Sequence, residues 1–103
     1  MYVLNYWHNV PDYGEWKKVF DSDPLGREAS GIRRFNIERP VGDEHRVIGH
    51  LEFDSLGEAE TFAGRLEEVW KGLGSSVVSD AGSTITEILV EQEFHRETTR
   101  KVA

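Results

Sequence analysis

Two capping boxes place the helices of this 103-residue chain more firmly than any other feature of its sequence. In a capping box, a Ser, Thr, Asp or Asn side chain closes the first turn of a helix, and a Glu or Gln follows three residues later. Asp12 with Glu15 forms the first box, and Ser55 with Glu58 forms the second. A segment of strand-like residues precedes each box, so the sequence predicts two strand-to-helix units.

Apolar residues recur at steps of three and four after both boxes, which is typical of amphipathic helices. The first stripe contains Tyr13, Trp16, Val19 and Phe20. The second contains Leu56, Ala59, Phe62, Ala63, Leu66, Val69, Trp70 and Leu73. Pro24 is predicted to interrupt the first helix, with a short helical turn at 25–30, and Gly72 and Gly74 to end the second.

Four segments have the alternating pattern, or the β-branched and aromatic residues, of strands. They are residues 2–10, 32–39, 46–53 and 84–94. A turn at 40–43 joins the second and third strands into a hairpin.

The order strand, helix, strand, strand, helix, strand predicts an α+β domain of the ferredoxin-like class. Right-handed crossovers fold this order into a four-stranded antiparallel sheet with both helices on one face. We expect residues 1–94 to form this single domain and residues 95–103 to form a polar tail. The other face of the sheet is left bare, and its mixed character predicts that a second copy of the chain covers it.

The composition of the chain limits the kinds of molecule that it is expected to bind. A net charge of −7, from 19 acidic and 12 basic residues, opposes binding to nucleic acid or to anionic membrane surfaces. The absence of cysteine excludes disulfides, thiolate catalysis and cysteine-bound zinc. The chain starts without the basic region of a secretory signal, and no apolar run approaches the ~20 residues of a membrane span. A cytoplasmic location is therefore expected.

The bare sheet face is the predicted site. On the third strand, Ile48, His50 and Glu52 point away from the helices if Val47, Gly49, Leu51 and Phe53 face them. The first strand is ambiguous, because both of its faces carry aromatic and polar residues. We assign the set with Tyr6 and His8 to the bare face, where the second strand adds Arg34 and Asn36.

Three short stretches, in this order and at these distances, resemble the dimeric α+β barrel superfamily, which includes antibiotic-biosynthesis-type monooxygenases. They are residues 1–4, residues 8–13 followed by Trp16 and Phe20, and residues 51–56 leading to Ala59 and Phe62. The resemblance covers nearly the whole chain and implies a homodimer whose fold serves cofactor-free monooxygenases, isomerases, haem-degrading enzymes and proteins of no known activity. His8 matches a histidine that recurs at the end of the first strand in similar members.

The predicted catalytic residues are His8, His50 and Glu52, which would transfer protons to and from a small aromatic or polyketide-like molecule. The predicted ligand-binding residues are Tyr6, Arg34, Asn36 and Ile48. No cofactor or metal is predicted, although two histidines and a carboxylate are also ligand types of a transition-metal site. The alternative is a non-catalytic homodimer in which Glu52 pairs with Arg34 and the polar cluster is structural.

Overall fold

Both helices begin at the predicted caps. The Asp12 carboxylate accepts hydrogen bonds from the backbone N–H groups of Gly14 and Glu15, at 2.8 and 3.3 Å. The Ser55 hydroxyl oxygen accepts one from the Glu58 N–H at 3.1 Å. These bonds satisfy donors that a helix start otherwise leaves unpaired.

The computed structural model describes residues 1–95. Its elements are β1 (Tyr2–Asn9), α1 (Tyr13–Asp21), β2 (Ile32–Glu38), β3 (Arg46–Phe53), α2 (Leu56–Leu73) and β4 (Ser79–Glu87). The sheet has the order β2-β3-β1-β4, and each neighbouring pair is antiparallel. The ferredoxin-like fold class is confirmed. The predicted tail lies outside the described residues apart from His95, and the domain boundary stays a prediction.

β4 begins and ends earlier than predicted, because its partner β1 sets its length. Tyr2, the first residue of β1, pairs with Glu87, and the Ile88 N–H donates the last bond, to the Met1 carbonyl at 3.0 Å. Leu89 and Val90 therefore continue beyond the sheet and are 84% and 88% exposed.

The predicted helical turn at 25–30 is a series of tight turns instead. Asp23 and Gly26 have φ angles of 53° and 62°, which is left-handed backbone that no α-helix contains.

The first strand faces the helices with the residues assigned above to the bare face, so that assignment is wrong. Leu4, Tyr6 and His8 are buried under the helices. The Tyr6 ring lies directly against the backbone of Gly49 on β3, where any larger residue would collide with it. On the other face, the Trp7 ring lies over Gly82 of β4 in the same way. Tyr6 and Trp7 thus each have a glycine as a cross-strand neighbour, and this matching favours the observed facing of the strand.

The core has two parts, both on the helix side of the sheet. One contains Leu4, Tyr6, Leu51, Phe53, Ala59 and Phe62, and the other contains Val10, Trp16, Val47 and Val78. Neither α1 nor α2 is both long and apolar enough to cross a membrane.

Candidate functional site

A partly open cavity of about 70 Å³ lies between the sheet, both helices and the loop that follows α1. One ordered water needs about 10–15 Å³, so the space can hold several waters, or a small ring that extends partly through the open side. Its walls are mostly aliphatic and aromatic, and the titratable exceptions are Tyr6, His8, Asp23 and Arg27. The cavity is therefore an apolar pocket with a few polar groups, as in sites for small organic molecules.

His8 is fully buried in the wall of this cavity, inside a cluster of aromatic rings. Its ring stacks on Tyr6 with centroids 5.8 Å apart and planes 10° apart. The rings of Trp16 and Trp70 lie at 5.9 and 5.7 Å and are tilted toward it. Packing on three sides holds the imidazole in one orientation.

The hydrogen bonding of His8 shows which of its nitrogens is free. Nδ1 lies 3.4 Å from the carbonyl oxygen of Asn9, which can only accept, so Nδ1 carries the proton in this contact. Nε2 then has the lone pair, and within residues 1–95 it has no hydrogen-bond partner. Leaving such a buried atom unpaired costs about 1–3 kcal/mol.

Burial also lowers the pKa of His8, and the positive charge of Arg46 lowers it further, while the bond to the Asn9 carbonyl acts in the opposite direction. The neutral imidazole is thus the stable form near neutral pH. A neutral imidazole with a free Nε2 can accept a proton.

Tyr6 forms the part of the cavity floor next to His8. Burial raises the pKa of its hydroxyl well above the usual range, although the positive charge of Arg27 opposes this rise. Its phenol stays protonated and can donate a hydrogen bond.

The other predicted site residues lie on the bare face, on the far side of the sheet from His8. His50 Nδ1 lies 2.7 Å from the side-chain oxygen of Asn5, and His50 Nε2 lies 3.2 Å from the Glu38 carboxylate. The prediction that His8, His50 and Glu52 meet in one pocket is wrong, because residues of β1 and β3 that lie on opposite faces cannot converge. For the same reason they cannot share a metal ion, and residues 1–95 contain no group of three or more His, Asp or Glu placed to hold one.

Arg34 and Glu52 form an ion pair on the bare face, with two hydrogen bonds of 3.1 Å. The alternative prediction, a non-catalytic homodimer with a structural polar cluster, expects this ion pair. Asn36 pairs in register with His50, and Ile48 is half-buried beside Trp7. These residues form a polar and partly apolar surface, not a closed pocket.

Trp16, Trp70 and Arg27 all line the cavity. The two tryptophans were predicted only as core residues of their helices, and no role was predicted for Arg27. Gly49 was the signal that could have found the site. A glycine in the core-facing row of β3 leaves room for a large ring on the adjacent strand, and Tyr6 supplies that ring.

No protein-family profile matches the chain, and no curated protein sequence matches it. Solved structures do. A proposed antibiotic biosynthesis monooxygenase from Deinococcus radiodurans has a TM-score of 0.70 at 12% identity, over 93% of this chain and 100% of that one. The haem degrader MhuD from Mycobacterium tuberculosis has a TM-score of 0.67 at 20% identity, over 90% and 100%.

A dimeric ferredoxin-like protein from an uncultured marine organism has a TM-score of 0.60 at 16% identity, over 90% of this chain and 97% of that one. At these identities the likeness is one of fold. The chain shares with these proteins the ferredoxin-like fold that the sequence predicted.

Proposed function

We propose that this chain, with its ferredoxin-like fold, binds a small hydroxylated ring compound in the cavity and that His8 removes a proton from it. The observation that carries the proposal is the free Nε2 of a fully buried histidine in the cavity wall. A ligand hydroxyl would give this nitrogen the donor that residues 1–95 do not.

The cavity walls support a ring as the body of the ligand. Trp16 and Trp70 offer flat apolar surfaces, and stacked or edge-on aromatic pairs contribute about 0.5–1.5 kcal/mol beyond burial of area. The volume is about half of the roughly 150 Å³ of a cavity that binds benzene, so it favours a single ring, and a second ring would extend through the open side. A porphyrin is several times larger than this cavity, so the proposal includes no haem.

The chemistry follows from the protonation states. Nε2 takes the proton of a phenol or enol, which leaves an imidazolium and a phenolate or enolate. Return of the proton to a ring carbon gives an isomer. With dioxygen as co-substrate, a phenol gives a quinone and water, so that one oxygen atom enters the ring and the other leaves. Tyr6 lines the cavity with its ring stacked on that of His8, and its protonated hydroxyl would donate a hydrogen bond to the developing oxyanion.

The bare sheet face supports a second part of the proposal, a homodimer. Val3, Trp7 and Ile48 lie there half-buried beside the polar network of His50, in a surface that is neither a core nor an ordinary solvated face. The similar structure from the marine organism is dimeric. A non-catalytic homodimer with the same cavity is the alternative function.

Two variants test the proposal and separate it from that alternative. His8→Phe keeps a ring in the wall but removes Nε2, whereas His50→Gln changes the bare face alone. We expect His8→Phe to abolish dioxygen uptake and isomerisation with a panel of phenols and hydroxynaphthalenes under air, and His50→Gln to retain the activity of the wild type. An active wild type whose activity survives His8→Phe would contradict the assignment.

Binding of the same compounds without any turnover, by wild type and His50→Gln alike, would favour the non-catalytic alternative. Sedimentation velocity on the same samples tests the homodimer separately, because a monomer at all concentrations would refute it.

A further inference from the structure

Arg27 is the one Lys or Arg among the cavity-lining residues of the described chain. Two rings hold it there: its guanidinium carbon lies 4.0 Å from the centroid of Phe20 and 5.3 Å from that of Phe35. Its side chain is only 22% exposed. A cation stacked on aromatic faces and shielded from water interacts strongly with an anion that reaches it.

The Arg27 guanidinium donates only one hydrogen bond within residues 1–95. One nitrogen donates a hydrogen bond of 2.8 Å to the Phe20 carbonyl, which is a neutral acceptor. The carboxylate of Asp23 lies 3.6 Å from that nitrogen, too far for a hydrogen bond, and instead accepts one of 2.9 Å from the Arg27 backbone N–H. A guanidinium has five N–H donors, so Arg27 has several to offer to a ligand.

We infer that the ligand of the proposed function is an aromatic carboxylate, whose ring occupies the cavity and whose carboxylate binds Arg27. The planar fork of a guanidinium matches a carboxylate with two parallel hydrogen bonds. The hydroxyl that His8 deprotonates and the carboxylate that Arg27 holds would then lie on one ring system, which fixes its orientation.

The charges around Arg27 favour a carboxylate over a phosphate. A phosphate monoester carries about 1.5 to 2 negative charges at pH 7, against one for a carboxylate. Asp23 already stands beside Arg27, and the chain as a whole has a net charge of −7. Because Asp23 already offsets part of the guanidinium charge, a ligand with one negative charge is repelled less in this setting than a ligand with two.

The test compares acids with their uncharged amides. The probes are 4-hydroxybenzoate and 6-hydroxy-2-naphthoate, each beside its carboxamide, titrated into wild type, Arg27→Gln and Arg33→Gln by calorimetry and NMR. Arg33→Gln is the matched control, because it also removes one positive charge but from an exposed residue that pairs with Asp54 and does not line the cavity.

We expect wild type and Arg33→Gln to bind at least one acid about tenfold or more tightly than its amide, as for hydrogen bonds to charged groups. In Arg27→Gln this preference should vanish while the amide binds as before. Equal binding of acid and amide by wild type, or a preference that survives Arg27→Gln, would overturn the inference and leave the proposed function standing. If none of the four compounds binds to wild type, both this inference and the proposed function are refuted.

Discussion

His8 and His50 lie on opposite faces of one sheet, although their strands β1 and β3 are hydrogen-bonded neighbours. Their surroundings differ accordingly. His8 sits among aromatic rings with a free nitrogen, whereas both nitrogens of His50 face oxygen atoms. The Asn5 amide nitrogen donates to Thr86 and to backbone carbonyls, so its oxygen must face His50 and accept. With Glu38 on its other side, His50 has both ring nitrogens engaged and suits a structural role, whereas His8 suits a chemical one.

Replacing His8 by phenylalanine should leave the protein at least as stable as wild type. The change removes a buried unpaired nitrogen, whose cost is about 1–3 kcal/mol, and the adjacent cavity gives the larger ring room to settle. Urea denaturation at pH 7.5 measures the free energy of unfolding. Val47→Ala, in the neighbouring part of the core, is the control and should destabilise. A loss of more than about 1.5 kcal/mol in His8→Phe would exceed the cost of a tolerated core swap and would show that Nε2 has a hydrogen-bond partner in solution.

Stability should fall in mild acid because of His8. Its pKa is lowered in the folded protein, chiefly by burial, whereas the unfolded chain binds a proton near the ordinary value of about 6.5. The stability that the neutral imidazole of His8 contributes is fully present above about pH 6.5. It is lost as the pH falls toward the folded pKa, at up to about 1.4 kcal/mol per pH unit. Denaturation at a series of pH values should show a steeper loss in wild type than in His8→Phe. If the stability of wild type and of His8→Phe falls with pH in the same way, His8 is exposed to solvent in the folded protein.

Gly49→Ala should damage the cavity floor. The added methyl group would collide with the Tyr6 ring, and such overpacking costs about 1–3 kcal/mol. Gly64→Ala is the matched control, because nothing lies near that exposed position of α2 and alanine is the better helix former by about 1 kcal/mol. The two substitutions should therefore shift the melting temperature in opposite directions. A neutral Gly49→Ala would mean that Tyr6 does not rest on β3.

The segment after β4 should contribute to the proposed homodimer. Leu89 and Val90 are exposed side by side, and Glu91 approaches Arg34 of the bare face at 3.9 Å, so the segment runs along the surface that a second copy would cover. Replacing Leu89 and Val90 by serine should raise the dimer dissociation constant about tenfold or more, as loss of two buried apolar side chains does. Sedimentation equilibrium measures this.

Val41→Ser is the control for that experiment, because Val41 is also fully exposed but lies in the turn between β2 and β3. It should leave the dimer unchanged. The interface lies elsewhere if Val41→Ser and the double variant raise the dissociation constant equally. It also lies elsewhere if the double variant leaves that constant unchanged.

β3 was predicted with the bounds that the structure has, because its residues alternate over 46–53. α2 begins at its predicted cap and ends at its Gly74 cap, although Gly72, also predicted to end it, lies within the helix. The facing of β1 could not be predicted in this way. Tyr6 and Trp7 are both large and aromatic, so the pattern of β1 alone allows either face, and only the glycines opposite them decide it. The cavity was missed for the same reason, since it exists only when Tyr6 and His8 face the helices.

The three tryptophans give the most direct test of the central claim, that the cavity around His8 is the ligand site. Trp16 and Trp70 line the cavity, whereas Trp7 lies on the bare face over Gly82. Titration with 6-hydroxy-2-naphthoate or its amide, followed by the three indole N–H signals in a proton–nitrogen NMR spectrum, locates the binding site whether or not the compound is turned over. We predict that the Trp16 and Trp70 signals move with saturation while that of Trp7 stays in place. Movement of Trp7 alone would place the ligand on the bare face and contradict the account.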